Sequence, residues 1–128
     1  MILVDTSAWI DFFRGTAPLA GRVDELLAQN QLAICGPILT ELRRGFHSVA
    51  ERRRVLPLLG GCHFLEQPPL LWEEAGELGF LLGRQERRVK SMDLLIAVYA
   101  LGHSIPLLSR DSDFRRIQQA GVPLQLVY

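Results

Sequence analysis

Residues 1–7 of the chain are MILVDTS, an apolar run that leads directly into an acid and two hydroxyl residues. A short apolar run bounded by polar turn residues is typical of a buried strand in a parallel sheet. Asp5 is then expected at the carboxyl end of that strand. A carboxylate at the edge of a core calls for an explanation, because its charge is stabilised best in water.

A second stretch repeats this pattern. Residues 105–109 are IPLLS, and they lead into RDSDF at residues 110–114. Asp111 and Asp113 therefore follow a second predicted strand in the way that Asp5 follows the first.

Two more acids interrupt apolar helices. Residues 38–46 and 92–102 are predicted helices, and they carry Glu41 and Asp93, each expected near the N-terminal end of its helix. In an open parallel sheet, ligands bind in the crevice beyond the carboxyl ends of the strands, where the strand order reverses. All of these acids could reach one such crevice.

Carboxylates packed within a few ångströms repel one another and lose hydration, which raises their pKa values. A hard divalent cation removes that penalty. Mg²⁺ and Mn²⁺ favour carboxylate oxygens and water, and they leave coordination positions open for a substrate phosphate. The acids therefore indicate a site for Mg²⁺ or Mn²⁺.

The rest of the sequence alternates short apolar runs with helical patterns. This alternation predicts one α/β domain, residues 1–128, with a mostly parallel central sheet in a three-layer α/β/α sandwich. The predicted strands are residues 2–4, 32–35, 62–65, 106–108 and 124–127. The predicted helices are residues 7–14, 19–29, 38–46, 49–59, 70–88, 92–102 and 112–120.

Composition narrows the class of protein. Of the 128 residues, 48% are hydrophobic, but no apolar run is long enough to span a membrane and no secretion leader is recognised. We therefore expect a cytoplasmic location. Cys35 and Cys62 form no metal-binding motif and are expected as unpaired core residues. His47, His63 and His103 show no pattern that would support nucleophilic catalysis.

Each acid also has an ordinary structural interpretation. Asp is a common helix N-cap, and the helix dipole favours an acid in the first turn. These alternatives are N-caps at Asp5 and Asp111, a first-turn acid behind a Ser91 cap at Asp93, and a surface ion pair of Glu41 with Arg44. All of them together are less expected than one shared site.

The formal net charge is zero, with 14 basic and 14 acidic residues. If the five acids share one cleft, the remaining residues carry 14 basic against 9 acidic side chains. Such an excess could bind phosphates without sequence specificity, although a solvated helix face is an equally ordinary interpretation. The candidates for RNA binding are Arg43, Arg44, Arg87, Arg88 and Lys90.

Four pieces of the sequence together resemble the PIN-domain ribonucleases, specifically the VapC-type toxins of bacterial toxin–antitoxin pairs. They are LVDTS at residues 3–7, TELRRG at 40–45, MDLLIA at 92–97 and LSRDSDF at 108–114. Asp5, Glu41, Asp93 and Asp111 are separated by 36, 52 and 18 residues, and the resemblance covers the whole chain.

The resemblance implies metal-dependent hydrolysis of RNA phosphodiester bonds by Mg²⁺ or Mn²⁺, one ion or two. It implies a catalytic set of Asp5, Glu41, Asp93 and Asp111, with metal ligands Asp5, Asp93, Asp111 and Asp113 and supporting hydroxyls at Thr6 and Ser109. Either Asp111 or Asp113 could be the direct ligand. The implied partners are RNA, a cognate VapB-type antitoxin whose tail blocks the acidic site, and a second copy in a homodimer that forms a heterotetramer or larger assembly with antitoxin.

Two other functions stay open from the sequence. A receiver-type phosphoryl-transfer domain also gathers acids around Mg²⁺, but it would need a lysine near the end of a late strand, and the single lysine, Lys90, precedes a predicted helix. A non-catalytic module could use the acidic cleft to bind a metal or a basic peptide.

Overall fold

The computed structural model describes all residues, Met1–Tyr128, and contains a parallel four-stranded sheet. The strands are β1 (Ile2–Val4), β2 (Leu32–Ile34), β3 (His63–Phe64) and β4 (Leu107–Leu108). Their spatial order is β3-β2-β1-β4, and every pair is parallel. The predicted fold class is confirmed.

Seven helices fill the intervals between and after the strands. They are α1 (Thr6–Arg14), α2 (Leu19–Ala28), α3 (Gly36–Arg44), α4 (Val49–Gly60), α5 (Leu71–Arg84), α6 (Ser91–Gly102) and α7 (Ser112–Gln119). Every predicted helix exists, and most bounds agree to within two residues. No helix has the length and apolar character that crossing a membrane requires.

The end of α5 was predicted four residues too late, at residue 88. The helix stops at Arg84, and Glu86 has a left-handed backbone with φ of 58°, which an α-helix cannot contain. Arg87 and Arg88 therefore lie in the loop before α6 and not on a helix.

The predicted strand at residues 124–127 is wrong. Leu126 forms a single parallel bridge with Leu107, held by hydrogen bonds of 2.9 Å from the Leu107 amide to the Gln125 carbonyl and from the Val127 amide to the Leu107 carbonyl. Pro123 precedes this segment and has no amide hydrogen to donate, and the contact around one residue of β4 is too short to form a strand.

The strand order reverses beside β1. The chain proceeds from β1 to β2 to β3 in one direction and then returns to the other side of β1 as β4. Right-handed crossovers place the helices of these two halves on opposite faces of the sheet, which gives three layers. The crevice expected at such a reversal lies at the carboxyl ends of β1 and β4.

The helix α6 crosses the centre of the domain. Seven of its residues are buried, including Asp93, Ile96 and Ala97, which explains why its sequence is apolar nearly all round. It packs mainly against α5. Gly79 of α5 permits this approach, because a Cβ at that position would lie 2.9 Å from Leu94 Cδ1.

This contact yields a prediction with an internal control. Gly79→Ala should stabilise the protein less than Gly83→Ala does, because its methyl group displaces Leu94 Cδ1 and this cost offsets part or all of the gain in helix propensity. Gly83→Ala, on the same helix with open space around its position, should raise the free energy of unfolding by up to about 1 kcal/mol. Urea denaturation of both variants measures the difference, and equal effects of the two substitutions would contradict it.

Candidate metal centre

Asp5 ends β1 and caps α1. Its Oδ2 accepts hydrogen bonds from the Ser7 amide at 3.4 Å, the Ser7 hydroxyl at 3.0 Å and the Ser109 hydroxyl at 2.8 Å. The N-cap expected as an alternative is therefore real, but Asp5 is only 3% exposed and also contacts the end of β4 through Ser109. Burial raises the pKa of Asp5, and the bonds from Ser109 and Ser7 lower it in part.

Ser109 connects the ends of the two central strands. Besides donating to Asp5, its hydroxyl oxygen accepts a hydrogen bond from the Asp111 amide at 3.0 Å and lies 3.2 Å from the Ser7 hydroxyl. Ser7 in turn accepts from the Arg110 amide at 3.1 Å. Sequence reasoning did not single out Ser7, although a second hydroxyl residue directly after Asp5-Thr6 was a visible signal.

Asp93, Asp111 and Asp113 form one acidic cluster. A carboxylate oxygen from each lies within 4.8 Å of the others. Asp111 caps α7 by accepting a 2.9 Å hydrogen bond from the Asp113 amide through Oδ1. Asp113 is buried and accepts from the Lys90 amide at 3.4 Å and from the Arg116 guanidinium.

Asp93 gives the clearest indication that the cluster suits a cation. It is 3% exposed, and its Oδ2 is buried without any hydrogen-bond partner. Burial, the neighbouring Asp113 carboxyl group and the charge of Asp111 together raise the pKa of Asp93 to about 8. An orphaned oxygen in a cluster of hard oxygen donors fits a divalent cation, which would favour the ionised carboxylate.

The start of α6 differs from the expected cap. Lys90 is the N-cap residue and makes no side-chain capping bond, and Ser91 is already inside the helix. Asp93 therefore gains first-turn placement without a Ser91 cap. The Lys90 ammonium instead lies 3.5 Å from Asp111 Oδ2 and 3.7 Å from Asp93 Oδ2. Asp93 and Asp111 raise the pKa of Lys90, since their negative charges favour the protonated amine.

Glu41 lies on the other side of Asp5. It is the sixth residue of α3, so the expected position in an opening turn is wrong. Its Oε1 accepts a 2.9 Å hydrogen bond from the Thr6 hydroxyl, and both residues line a cavity of about 320 Å³ between α1, α3 and α4. The ion pair of Glu41 with Arg44 that the sequence left open is not formed.

The other predicted residues are dispersed. Arg43 and Arg44 are exposed in the last turn of α3, and Arg88 is exposed in the loop before α6. Arg87 donates a 3.2 Å hydrogen bond to Gln119. Of the five RNA-binding candidates, only Lys90 contacts the acidic cluster.

An ion pair between a buried acid and a half-exposed arginine supports the site and was missed in the sequence. Asp11 of α1 is 3% exposed, and its Oδ2 lies 2.9 Å from Arg110 Nε. Because Arg110 separates Ser109 from Asp111, this pair fastens the loop that follows β4 to α1. An acid inside the apolar helix sequence WIDFF was the available signal.

The two cysteines, His63 and His103 do not enter the site, whereas His47 lines the cavity beside Glu41. Cys35 is a buried thiol, as predicted, whereas Cys62 is only partly buried at the edge of the core. One ring nitrogen of His63 lies 2.8 Å from the Asn30 carbonyl, and one of His103 lies 2.7 Å from the Glu66 carbonyl. Both imidazole rings therefore have a structural role.

Comparison with known proteins identifies relatives over nearly the whole chain. The family model for the PIN domain matches residues 2–120. Ribonuclease VapC11 of Mycobacterium tuberculosis is 33% identical over 124 residues, covering 89% of this chain and 89% of that protein.

Solved structures agree with this result. VapBC-1 from nontypeable Haemophilus influenzae aligns with a TM-score of 0.77 and 27% identity, covering 99% of this chain and 97% of that chain. A toxin–antitoxin complex from Klebsiella pneumoniae aligns with a TM-score of 0.75 and 25% identity, covering 100% of this chain and 97% of that chain.

The raised pKa of Asp93 predicts a pH-dependent cost in the metal-free protein. The unfolded chain releases this proton near pH 3.8, whereas the folded protein retains it up to about pH 8. Between these values the folded state binds more protons, so rising pH lowers the free energy of unfolding. In EDTA, the free energy of unfolding of Asp93→Asn should rise by roughly 1–3 kcal/mol relative to that of wild type as the pH goes from 4 to 8.

Urea denaturation across this range is the measurement. Asp24→Asn, at an exposed position of α2, is the control. Its difference in stability from wild type should not change with pH, because it retains Asp93. A stability difference between Asp93→Asn and wild type that does not change with pH would contradict the prediction.

The position of Lys90 predicts competition between its ammonium and a divalent ion. Lys90→Met should tighten Mn²⁺ binding by roughly two- to tenfold, because a partly exposed cation beside the carboxylates repels the ion. Calorimetric titration with Mn²⁺ measures it, with Arg88→Met as an exposed control of equal charge change. Unchanged or weaker binding by Lys90→Met would show that the ammonium does not oppose the metal.

Proposed function

The chain belongs to the PIN-domain family, and on that basis we propose that it is a metal-dependent endoribonuclease, the toxin of a toxin–antitoxin pair. The observation that carries the proposal is the orphaned Oδ2 of Asp93 beside Asp111 and Asp113 at the carboxyl end of the central strands. A buried carboxylate oxygen without a partner is costly unless a ligand completes it.

Four carboxylates would hold Mg²⁺ or Mn²⁺. Asp5, Asp93 and Asp111 are the proposed principal ligands, directly or through water, and Asp113 is a direct ligand or a partner of one. When bound, the ion would lower the pKa of the attacking water and offset negative charge on the phosphate. Ser109 and Ser7 fix the Asp5 carboxylate by hydrogen bonds of 2.8 and 3.0 Å, so that it needs no reorientation.

Glu41 would act on the attacking water molecule. Its carboxylate is held by the Thr6 hydroxyl, and it lines an open cavity, so one oxygen is oriented while the side chain still faces solvent. A carboxylate in this state can orient a water or accept its proton. The Lys90 ammonium, largely exposed beside Asp93 and Asp111, would neutralise a phosphate oxygen of the substrate.

The proposal includes the partners implied by the family. The similar solved structures are described as VapBC-1 and as a toxin–antitoxin complex, which supports a VapB-type antitoxin for this chain. The cavity beside Glu41 is the proposed seat of the antitoxin tail. Its walls include Ile10, Phe13 and Phe46, and an occupant would cover Glu41 and Thr6. A homodimer and a cytoplasmic location stay predictions.

The direct test is cleavage of single-stranded RNA by the purified protein with Mg²⁺, Mn²⁺ or EDTA. Wild type should cleave only with the metal, and Asp93→Asn should lose more than roughly 100-fold in rate, since altering even the partners of metal ligands costs 10- to 100-fold. Asp24→Asn should cleave as wild type does.

Two results would overturn the proposal. One is metal-dependent cleavage that persists in Asp93→Asn. The other is no cleavage by folded wild-type protein freed of any antitoxin, together with no calorimetric heat of Mn²⁺ binding. The second result would favour a module that binds basic peptides in its acidic cleft.

A further inference from the structure

A second cavity opens directly beside the acidic cluster. It measures about 350 Å³ and lies between the loop after β4, the helix α7 and residues 126–128. Ser109 and Asp111 form its inner end, and Arg115, Gln118, Gln119 and Tyr128 form much of the rest. It therefore shares Asp111 with the acidic cluster, and the proposed mechanism has no use for Arg115, Gln118, Gln119 and Tyr128.

Tyr128 presents an aromatic surface at this cavity. Its side chain is 62% exposed, and the Arg115 guanidinium lies 5.9 Å from the ring centroid. A guanidinium at this distance restrains the ring, yet the contact leaves most of the ring open to solvent. Aromatic rings and arginine planes are the groups on which proteins stack the bases of single-stranded nucleic acids.

The two glutamine amides are already oriented. Gln118 donates through Nε2 to the Leu124 carbonyl at 3.0 Å, and Gln119 accepts through Oε1 from Arg87 at 3.2 Å. The protein therefore uses the donor group of one amide and the acceptor oxygen of the other. A carbonyl oxygen on Gln118 and an NH₂ group on Gln119 remain for a ligand that has both donors and acceptors.

The charged and neutral groups that line the cavity distinguish a phosphate ligand from a neutral one. Asp111 lies at its inner end and would repel a phosphate, while the amides and the aromatic ring are neutral. A flat, neutral group with hydrogen-bonding edges fits these walls better than an anion does. Arg115, at the outer side with Tyr128, is placed to meet either that group or a phosphate attached to it.

We propose that this cavity binds one nucleobase of the RNA substrate, next to the scissile phosphate, by stacking on Tyr128 and hydrogen bonding to Gln118 and Gln119. The inference rests on the proposed ribonuclease function and adds to it a subsite that positions the strand. Tyr128 and Arg115 would hold the RNA strand in position and take no part in the chemical step, since they lie outside the acidic cluster.

Other exposed aromatic residues do not share this setting. Trp72 on α5 is 63% exposed, nearly the same as Tyr128, but it lines neither this cavity nor the cavity beside Glu41. Phe80 lines a cavity with Arg84 and Arg88, but that cavity contains no residue of the acidic cluster. Trp72→Ala is therefore a matched control for loss of an exposed aromatic ring.

The test is binding of a short single-stranded RNA by fluorescence anisotropy, in an Asp93→Asn background so that the strand stays intact. Tyr128→Ala should weaken binding by roughly 5- to 100-fold, the range for loss of one base–aromatic stack. Tyr128→Phe, which keeps the ring, should retain most of the affinity, and Trp72→Ala should match the parent. Thermal unfolding of each variant verifies that it is folded.

A set of RNAs, each with one base removed at successive positions, identifies the base concerned. One of these RNAs should bind the parent protein as weakly as intact RNA binds Tyr128→Ala. When that RNA is tested with Tyr128→Ala, the affinity should fall little further, because base removal and the substitution remove the same contact. In the cleaving protein, Tyr128→Ala should raise KM more than it lowers kcat.

The outcomes separate this inference from the proposed function. If wild type cleaves RNA and Tyr128→Ala behaves as Trp72→Ala does, the base subsite is wrong and the ribonuclease stands. If base removal and Tyr128→Ala have independent, additive effects, the ring does not stack on a base. If the Asp93→Asn parent binds no RNA and the wild-type protein cleaves none, both proposals fail.

Discussion

The structure depends on the parallel pairing of β1 with β4. The Asp5 amide donates to the Leu108 carbonyl at 2.9 Å, and Ser109 returns a hydrogen bond to the Asp5 carboxylate at 2.8 Å. These contacts join residues more than 100 positions apart, and they hold the loop that carries Asp111 and Asp113 beside the end of β1. Without this pairing the acids of the two strands would have no reason to meet.

Such a concentration of carboxylates opposes folding unless something compensates their charge. The protein supplies cations around the rim: Lys90 contacts Asp93 and Asp111, Arg116 pairs with Asp113, and Arg110 pairs with Asp11. The Lys90 ammonium lies 3.7 Å from Asp93 Oδ2, so this oxygen has a cation nearby but no hydrogen-bond partner. The rim therefore reduces the electrostatic cost while leaving the innermost oxygen available, and that combination is what a reversible cation site requires.

Local pattern was enough to predict the strands before Asp5 and Asp111, because each is an apolar run that stops at an acid. It was also enough for the central helix, since a helix that is apolar all round must be buried. The strand at residues 124–127 was wrong because a similar apolar pattern there meets only one residue of β4. The end of α5 was wrong because the left-handed backbone at Glu86 has no glycine to mark it.

The contacts within the site were harder to predict for a different reason. Thr6 with Glu41, Ser7 with Ser109, and Asp11 with Arg110 are pairs formed by tertiary packing, and no spacing in the sequence connects their members. The acids themselves could be named, since an isolated carboxylate at the end of an apolar run is visible in the sequence.

Charge alone does not rank the residues that would bring a polyanion to this acidic site. Arg43, Arg44 and Arg88 are exposed and pair with none of the clustered acids, and RNA binding by them stays a prediction. Lys90 and the cavity of Arg115 and Tyr128 instead adjoin the cluster. A strand of RNA can approach several carboxylates only if its phosphates meet cations and its neutral bases meet the remaining walls. The acidic cluster and the cavity lined by Arg115, Gln118, Gln119 and Tyr128 would therefore serve as complementary parts of one RNA-binding surface.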